Sequence, residues 1–519
     1  MMKDIVFAPD QIGEADDVLA LLANRFHVRK GNHIRITRRF IDARHKDRIK
    51  IVYRVEEETR EALAEIIKQD ASLAFPYRNA HPRLKERPVI VGFGPAGMYA
   101  GLVLAEYGLR PLIIERGSDV DKRAVDIDKV RNGGAVDPES NVQFGEGGAG
   151  TFSDGKLYTG VTSGLKAYIS RVMVDNGADP AILYDAHPHV GTDKLRGVVK
   201  GIREKIISLG GEILLDTVVK DLIISDGKIT GIDTDKGMIP ASDVILAIGH
   251  SSRDTIKMLL SRGIVLESKP FAVGVRIEHR REDIDRALYG FDTAAYKNIS
   301  AAPYKLSCDT VTGRKLYTFC MCPGGEVVAA QSSGGAICTN GMSYSDRGLT
   351  NSNTALLVPV NQDDYGNGVL DGMYYQEKLE NRAFTAAGSS GMAPFAYYGR
   401  LSGKNTTVGR SVSPSFKPGV VESDLKSVFD EVITDTVIDG ISRMGGKIRG
   451  FDIPDAVITA PEARSSSPVR ILRDKTTFMS VNVKGLYPCG EGAGYAGGIM
   501  SSAIDGIKCA NAIIENVLN

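Results

Sequence analysis

The sequence predicts an α/β protein with a three-layer domain built on a parallel sheet, an inserted α+β domain and a small N-terminal α+β domain. A glycine-rich turn between an apolar strand and a helix, PVIVGFGPAG at 88–97, predicts the three-layer domain. Alternating apolar and polar residues at 33–40 and 48–55 predict strands of the N-terminal domain. A second apolar strand runs into a glycine turn at 485–492, which indicates that the chain returns to the three-layer domain after an insertion.

The predicted boundaries divide the chain into segments. They are an N-terminal domain at 1–75, the first part of the three-layer domain at 88–268, the inserted cap domain at 269–461, and the C-terminal part of the three-layer domain at 462–519. Helical periodicity at 16–26 and 57–68, around the two strands, favours a ferredoxin-like sandwich for the N-terminal domain. The proline-containing stretch 71–88 is predicted to be a linker.

Composition excludes several classes of protein. The net charge is zero and 43% of the residues are hydrophobic, as in ordinary globular proteins, and no apolar run approaches the roughly 20 residues that span a bilayer. No membrane partner and no signal peptide are predicted. Six cysteines in 519 residues do not form a disulfide framework, so we expect a reducing, cytoplasmic location.

The glycine-rich turn has the parts of a dinucleotide-binding motif. They are a strand at 89–91, the glycines Gly92, Gly94 and Gly97, a helix at 98–107, a strand at 109–114, and Glu115. Gly92 permits the tight turn, Gly94 lets the backbone approach a pyrophosphate, and Gly97 lets the helix pack on the strand. The helix N-terminus attracts phosphate, and an acidic residue at position 115 can accept hydrogen bonds from a ribose. The motif predicts a Rossmann-like site for NAD or FAD.

A second G-x-G-x-x-G lies at 145–150, but we do not predict a second nucleotide site there. No strand precedes Gly145, and no acidic residue follows at the required distance after a second strand. We interpret it as a glycine loop that lies along the same cofactor. Ser153, Asp154 and Lys156 continue this loop, where they either touch the flavin or pyrophosphate or only shape the loop.

Several stretches together resemble a bacterial family of uncharacterised FAD-dependent dehydrogenases, or FAD-dependent proteins. They are 88–116, 141–158, 269–278, 321–325 and 490–499, and the resemblance covers nearly the whole chain. It implies non-covalent FAD strongly and a particular reaction only loosely. It also implies that Gly490 and Glu491 meet the ribityl chain and flavin. Gly498 and Ile499 open the last helix, whose N–H groups would face the flavin N1/O2 edge.

The predicted site therefore has a cofactor part and a catalytic part. The cofactor-binding candidates are Gly92, Gly94, Pro95, Ala96, Gly97, Glu115, Arg116, Arg123, Gly147, Gly148, Ala149, Gly150, Thr151, Gly249, Gly490, Glu491, Gly498 and Ile499. The catalytic candidates are His189, Cys322 and Lys156. Cys320 and Cys322 are either a thiol pair near the flavin or two small buried residues. His187 and His189 either act near the flavin or are structural, and no metal is predicted because no third ligand is visible.

Several motifs are missing from the sequence, and their absence narrows the range of reactions that we expect. The first cysteine is Cys308, so the cysteine pair of a flavin disulfide reductase, expected soon after the first glycine motif, is missing. The chain has no tryptophan, which excludes the Trp motif of flavin-dependent halogenases. No second strand–G-x-G-x-x-G–helix unit occurs at 250–460, so NAD(P)H is expected at most as a transient electron donor.

These observations favour an FAD-dependent oxidoreductase, dehydrogenase-like, that transfers an electron pair at the flavin to or from an unidentified small molecule. One alternative is a flavin monooxygenase of the same architecture. Another is an FAD-holding sensor whose N-terminal domain binds RNA or a protein. The stretch 25–54 has 11 Lys/Arg and 2 Asp, which is either a surface for a nucleic-acid partner or a solvated face of the strands. The sequence leaves the oligomeric state open.

Overall fold

The computed structural model describes residues 2–12, 17–29, 32–46, 48–77, 84, 86–404 and 407–518, which form an α/β structure with parallel, antiparallel and mixed sheets. Several predicted features fall partly outside these ranges. They are the helix start at Asp16, residues 78–83 and 85 of the linker, and residues 30, 31 and 47 of the basic stretch. Among the described helices, none is long and apolar enough to cross a membrane.

The N-terminal segment contains a three-stranded antiparallel sheet in the order β1-β3-β2. Its elements are β1 (Met2–Phe7), α1 (Pro9–Ile12), α2 (Val18–Phe26), β2 (His33–Asp42), β3 (Lys50–Glu58) and α3 (Arg60–Ala74). A ferredoxin-like sandwich has four strands, whereas the described part of this segment has a sheet of three strands. The helix predicted at 57–68 begins later than expected. Glu57 and Glu58 remain in β3, where they form ion pairs with Arg29 and Arg35.

A five-stranded parallel sheet carries the glycine-rich turn. Its order is β6-β5-β4-β10-β22, where β22 is Leu486–Pro488. The strand of this sheet that comes first along the chain, β4, lies at its centre, and the strand order reverses between β4 and β10. The elements of this part are β4 (Val89–Val91), α4 (Pro95–Glu106), β5 (Leu112–Ile114), α5 (Val120–Arg131), α6 (Leu165–Asp175), α7 (Thr192–Ser208), β6 (Glu212–Leu214), β7 (Val219–Ser225), β8 (Lys228–Thr234), β9 (Gly237–Pro240), β10 (Val244–Leu246) and α8 (Arg253–Ser261). Ligands bind at such a reversal, beyond the carboxyl ends of the strands.

A seven-stranded mixed sheet, in the order β13-β14-β17-β12-β20-β18-β19, occupies the middle of the chain. Its segment contains β11 (Leu266–Ser268), β12 (Phe271–Arg280), α9 (Arg281–Tyr289), β13 (Ser307–Asp309), β14 (Lys315–Cys322), β15 (Gly325–Ala329), β16 (Thr339–Ser343), β17 (Asn351–Val360), α10 (Gln362–Tyr365), α11 (Asp371–Ala386), β18 (Ala393–Tyr397), α12 (Tyr398–Leu401), β19 (Val420–Glu422), α13 (Glu431–Gly445) and β20 (Val457–Glu462). Helices α11 and α13 bury apolar residues against this sheet in a core of its own.

The chain then returns to the parallel sheet. The last elements are β21 (Val469–Ile471), which pairs with β11, β22 (Leu486–Pro488) and α14 (Ile499–Leu518). Helix α14 packs across α4 at Gly506, where a Cβ would lie 2.0 Å from the carbonyl oxygen of Ala96. Two segments more than 350 residues apart therefore form one layer. The division into four domains stays a prediction.

The edge strand β2 joins the N-terminal sheet to the rest of the molecule. The Arg39 N–H donates to the Tyr184 carbonyl at 2.7 Å, and the Ala186 N–H donates to the Arg39 carbonyl at 2.9 Å. The Arg39 guanidinium also donates to Asp185 at 2.8 Å and to the carbonyl of Asn298. An arginine on the predicted solvated face thus holds the two parts together.

Replacing Arg39 with Ala should lower the free energy of unfolding by about 1.5–3 kcal/mol, because it leaves the half-buried Asp185 without its charged donor. Arg44→Ala is the matched control, since Arg44 is 84% exposed and pairs only with the neighbouring Asp42, a contact worth about 0–1 kcal/mol. Urea unfolding measures both. Equal losses in the two variants would contradict this account of the junction.

Candidate cofactor and active site

The turn between β4 and α4 is shaped by two glycines that no larger residue fits. Gly92 has φ of +100°, and a Cβ there would lie 2.3 Å from the Ala247 carbonyl oxygen. A Cβ on Gly97 would lie 1.9 Å from the Gly92 carbonyl oxygen. These contacts let α4 begin directly above the strand. Helix α4 starts at Pro95, three residues before the predicted 98–107, because proline is suited to the first turn of a helix.

Glu115 follows β5 and accepts three backbone hydrogen bonds. Its Oε2 accepts from the Phe93 N–H at 2.8 Å, and its Oε1 accepts from the N–H groups of Gly117 and Gly145 at 3.0 and 2.9 Å. The carboxylate is 5% exposed and borders the cavity described below. It can accept a further hydrogen bond, because a carboxylate has about four acceptor positions.

The second glycine loop packs against the first turn. The Gly147 N–H donates to the Phe93 carbonyl at 2.8 Å, and a Cβ on Gly148 would lie 2.8 Å from Gly94 Cα. A Cβ on Gly150 would meet the side chain of Ile499 at 2.8 Å. The two glycine segments therefore approach each other through backbone atoms, and the side chain of Ile499 at the start of α14 packs against the second one.

Arg123 is predicted from the sequence to bind the cofactor, but the structure places it outside the cavity wall. Its guanidinium is fully buried and donates to the carbonyl groups of Asn141, Val142, Gly145, Glu146 and Gly148 at 2.8–3.3 Å. Burial lowers its pKa to about 10. With its donors used by the backbone, Arg123 holds the loop in shape from behind and does not border the cavity.

A single cavity of about 700 Å³ extends from the glycine-rich turn to the seven-stranded sheet, within the usual range for ligand pockets. The predicted residues that border it are Gly92, Gly94, Pro95, Ala96, Glu115, Arg116, Gly148, Ala149, Gly150, Lys156, Gly249, Glu491, Gly498 and Ile499. The predicted residues that lie outside its wall are Gly97, Arg123, Gly147, Thr151, His189, Cys322 and Gly490. The three glycines among these residues contact protein atoms behind the wall: Gly97 packs against the Gly92 carbonyl, the Gly147 N–H donates to the Phe93 carbonyl, and the Gly490 N–H donates to Asp505.

Arg116 lies at the cavity end near Glu115. It donates to Glu139 at 2.6 Å and to both Asp254 oxygens at 3.0 and 2.8 Å, and its guanidinium lies 4.4 Å from the centre of the Phe144 ring. Its charge is therefore balanced within the protein, and its planar group is held in place at the cavity wall.

A buried charged cluster lies at the other end. Asp154 is 1% exposed, and its carboxylate lies 3.4 Å from Lys156 Nζ, 3.7 Å from His189 Nε2 and 4.0 Å from Arg347 Nη2. Burial opposes ionisation of Asp154, but these neighbours hold its pKa well below the usual range. Burial and the Arg347 charge lower the pKa of His189 to about 3, so this imidazole is neutral at pH 7. Burial alone would lower the pKa of Lys156, but Asp154 outweighs it and raises that pKa.

Both predicted thiols lie beside this cluster. Lys156 Nζ is 3.8 Å from Cys320 Sγ and 3.6 Å from Cys322 Sγ, and Cys320 borders the cavity while Cys322 is fully buried. A second thiol pair, Cys489 and Cys509, forms with Asp505 a group whose ligand atoms lie within 4.8 Å of one another. Arg473 already pairs with both Asp505 oxygens there, at 2.9 and 2.6 Å, so a metal ion would have to compete with a guanidinium.

Sequence reasoning missed several residues that border the cavity. His250 faces Glu491 with Nδ1 3.4 Å from Oε1, and Arg464 donates to both oxygens of the buried Glu380 at 2.7 and 2.8 Å. Glu462 also borders the cavity, and it pairs at 2.9 Å with the fully buried Arg276, which lies behind the wall in the middle of the apolar strand β12. An arginine within an apolar strand is a visible signal of a buried ion pair, whereas its partner is not visible in the sequence.

Fold and site together define an α/β protein with a cavity beside the carboxyl ends of parallel strands. Residues 270–465 match the family model described as "FAD-dependent protein, C-terminal domain-like", and residues 2–58 match a domain of unknown function. The chain is 42% identical over 491 residues, 92% of each protein, to an "Uncharacterized protein" of Clostridium beijerinckii. The chain belongs to this family of FAD-dependent proteins, which confirms the resemblance seen in its motifs.

More distant similarities are partial. Protein FixC of Salmonella typhi is 27% identical over 194 residues, 36% of this chain and 42% of FixC. Glycine oxidase from Bacillus cereus matches 83% of this chain and 95% of its own, with 14% identity and a TM-score of 0.32. NikD, an amino acid oxidase of nikkomycin biosynthesis, matches 83% of this chain and 94% of its own, with 13% identity and a TM-score of 0.34.

Gly97→Ala should lower the free energy of unfolding by about 1–3 kcal/mol, because its Cβ would overlap the rigid Gly92 carbonyl. Gly101→Ala is the matched control on the same helix, since its Cβ would meet the flexible end of the Ile113 side chain at 2.5 Å. Urea unfolding should show a smaller loss for Gly101→Ala. An equal loss of stability in Gly101→Ala would mean that overlap with the rigid Gly92 carbonyl does not explain the loss in Gly97→Ala.

His189 should make the protein sensitive to mild acid. Its folded pKa of about 3 lies below the usual 6.5, so below about pH 6.5 the unfolded chain binds a proton that the folded protein excludes. The free energy of unfolding therefore falls as the pH drops, by up to about 2 kcal/mol between about pH 6.5 and 5 for this group. His189→Gln should lose less stability over this range than the unmodified protein, while the exposed His45→Gln should follow the unmodified protein. Parallel curves for His189→Gln would refute the assignment.

Proposed function

We propose that this protein is an FAD-dependent oxidoreductase whose FAD lies non-covalently in the cavity between the parallel sheet and the seven-stranded sheet. The observation that carries the proposal is the continuity of the cavity. One cavity of about 700 Å³ extends from a glycine turn of the kind that binds phosphate groups to a cluster of titratable side chains near the seven-stranded sheet. Membership of a family of FAD-dependent proteins supports the choice of cofactor.

The residues at the turn fit the phosphates and ribose of FAD. Helix α4 points its N-terminus at the cavity, and the first N–H groups of a helix have no partner within it. Gly94 borders the cavity in an ordinary backbone conformation, with φ of −77°. The nearest protein atom to a Cβ built there is Gly148 Cα, at 3.6 Å. The protein alone therefore does not require glycine at position 94, whereas a phosphate group against the backbone would.

The flavin would then be directed toward Lys156 and the seven-stranded sheet. FAD supplies electron-pair transfer when it is bound. Around that end, Tyr304, Phe319 and Met321 provide apolar surface that limits water. Lys156 keeps its proton at Nζ beside Asp154, so it can bind an anionic group of a substrate or stabilise negative charge that develops in the cavity.

The dehydrogenase-like reaction, NAD(P)H as a transient donor and the cytoplasmic location stay predictions. The alternative of a nucleic-acid-binding sensor has less support than the enzyme. Arginines of the basic stretch are paired with carboxylates in the protein: Arg29, Arg35, Arg39, Arg44 and Arg54. Pairing reduces the field that would attract a polyanion.

Gly94→Ala should fold with unchanged stability and bind FAD at least about tenfold more weakly, because the new methyl group would occupy the space of the pyrophosphate. Titration of the apoprotein with FAD, followed by flavin fluorescence, measures the affinity, and urea unfolding measures the stability. Phe93→Leu keeps the same turn without adding atoms to the glycine and should bind FAD nearly normally. Unchanged FAD affinity in Gly94→Ala would contradict the proposed position of the phosphates.

The reaction class can be tested with the reconstituted holoprotein. Under anaerobic conditions, a suitable electron donor from a panel that includes NADH and NADPH should bleach the flavin absorbance. Oxygen uptake with an oxygenated product would instead favour the monooxygenase. RNA binding with a steep salt dependence, together with a flavin that no donor reduces, would favour the sensor. Failure to bind FAD would overturn all three.

A further inference from the structure

The strand β14 is distorted where its two cysteines lie. Phe319 pairs with Ala355 and Cys322 pairs with Asn353, so β14 has one more residue than β17 between these pairs. Cys320, inside this bulge, has φ of +45°, a left-handed conformation that is uncommon for residues other than glycine. Such conformations cluster at functional sites.

The two cysteines lie close to each other at this bulge. In a regular strand, residues two apart share a face, with Cα atoms about 6.6 Å apart, within the roughly 4.4–6.8 Å that a disulfide allows. The Cys322 thiol donates to the Cys320 carbonyl at 3.3 Å, and Lys156 Nζ lies 3.8 Å from Cys320 Sγ and 3.6 Å from Cys322 Sγ.

Charged groups surround Cys320. The cations Lys156 and Arg276 favour a thiolate at Cys320, and the carboxylate of Asp154 opposes it. Arg276 is paired with Glu462 at 2.9 Å, whereas Lys156 Nζ lies 3.8 Å from Cys320 Sγ. Lys156 is therefore the cation placed to stabilise a thiolate at Cys320.

The two thiols differ in the way that attacking and resolving cysteines differ. The hydrogen bond from Cys322 and the charge of Lys156 hold the pKa of Cys320 well below its ordinary value, against the effect of burial. Burial raises the pKa of Cys322 well above the ordinary value. Cys320 is partly exposed at the cavity and Cys322 is buried behind it. An accessible thiolate next to a buried resolving thiol is the usual arrangement of a redox-active pair.

We propose that Cys320 and Cys322 are a redox-active dithiol that exchanges an electron pair with the flavin, an inference that rests on the proposed function. In the oxidative direction the Cys322 S–H bond would break and one S–S bond would form between Cys322 and the Cys320 thiolate. A bound oxidised FAD would take up the two electrons and the one proton that Cys322 releases. In the reverse direction the S–S bond would break, and the same two electrons and one proton would restore the Cys322 thiol and the Cys320 thiolate. Lys156 stabilises the Cys320 thiolate that attacks or leaves.

The first test uses the apoprotein, so it does not depend on FAD. The protein is equilibrated with mixtures of oxidised and reduced glutathione, quenched in acid, unfolded, alkylated and analysed by intact and peptide mass. The unmodified protein should lose two of its six alkylatable thiols, mapped to Cys320 and Cys322. Cys320→Ser and Cys322→Ser should not lose this pair. Cys308→Ser, a partly exposed cysteine outside the cavity, should lose the same pair as the unmodified protein.

The second buried pair provides an internal comparison. Cys489 and Cys509 lie beside Arg473, whose charge Asp505 already balances, and burial and the neighbouring thiol raise the pKa of Cys489 well above its ordinary value. This pair should stay reduced under the same conditions. Persistence of all six thiols, or oxidation of Cys489 and Cys509 alone, would overturn the proposal.

A lysine substitution tests the thiolate itself. Lys156→Met should raise the pKa of Cys320 and slow its alkylation at neutral pH by about tenfold, because it removes the ammonium that lies 3.8 Å from the Cys320 sulfur. Lys156→Arg should keep most of the reactivity. A pH profile of Cys320 alkylation that is the same in all three proteins would show that the lysine is only structural and would contradict the proposal.

The holoprotein gives the last test. Anaerobic titration with dithionite should consume four electrons per FAD in the oxidised unmodified protein and two in Cys322→Ser, since the disulfide accepts two. Two electrons in both proteins would overturn the link to the flavin. If the chain binds no FAD, the proposed function fails in this experiment, while the glutathione experiment still decides whether the pair forms a disulfide.

Discussion

The Glu115 carboxylate connects the two glycine segments on which the cavity is built. It accepts N–H groups from Phe93 in the first turn and from Gly145 in the second loop. Because Glu115 accepts from both, its carboxylate ties the backbones of the two loops together near the point where Gly148 approaches Gly94. Glu115, which the sequence predicts to bind a ribose, therefore also holds the two glycine segments together.

Arg123 supports the same arrangement from the opposite side. An isolated buried guanidinium would be costly, but five carbonyl groups of one loop surround it and replace its water. The N–H groups of Gly145 and Gly147 in the same loop donate to Glu115 and to the Phe93 carbonyl of the first turn. The loop at 141–148 forms no helix or strand, and the buried cation provides hydrogen bonds that a ladder would otherwise supply.

The local parts of the site were visible in the sequence, and the long-range parts were not. The strand at 89–91, the three glycines after it and Glu115 form one contiguous stretch, so their spacing predicts their geometry. The strand predicted at 109–114 is shorter, because Arg110 adopts a left-handed conformation and Pro111 has no N–H to donate. Arg347 reaches Asp154 from almost 200 residues away, and no local pattern predicts such a contact. The proximity of Lys156 to the thiols was missed for the same reason.

The N-terminal sheet is connected through backbone hydrogen bonds to the end of the cavity that contains Lys156. Strand β2 pairs with the segment 184–186, which continues into 188–190, and that segment pairs with 155–157. The Leu157 N–H donates to the Pro188 carbonyl at 3.0 Å, and the Val190 N–H donates to the Gly155 carbonyl at 3.1 Å. One side of the segment 184–190 therefore contacts the N-terminal sheet, and the other side contacts the residues that flank Lys156. Because Lys156 in turn lies beside Cys320 and Cys322, a continuous series of contacts links the N-terminal sheet to the two thiols.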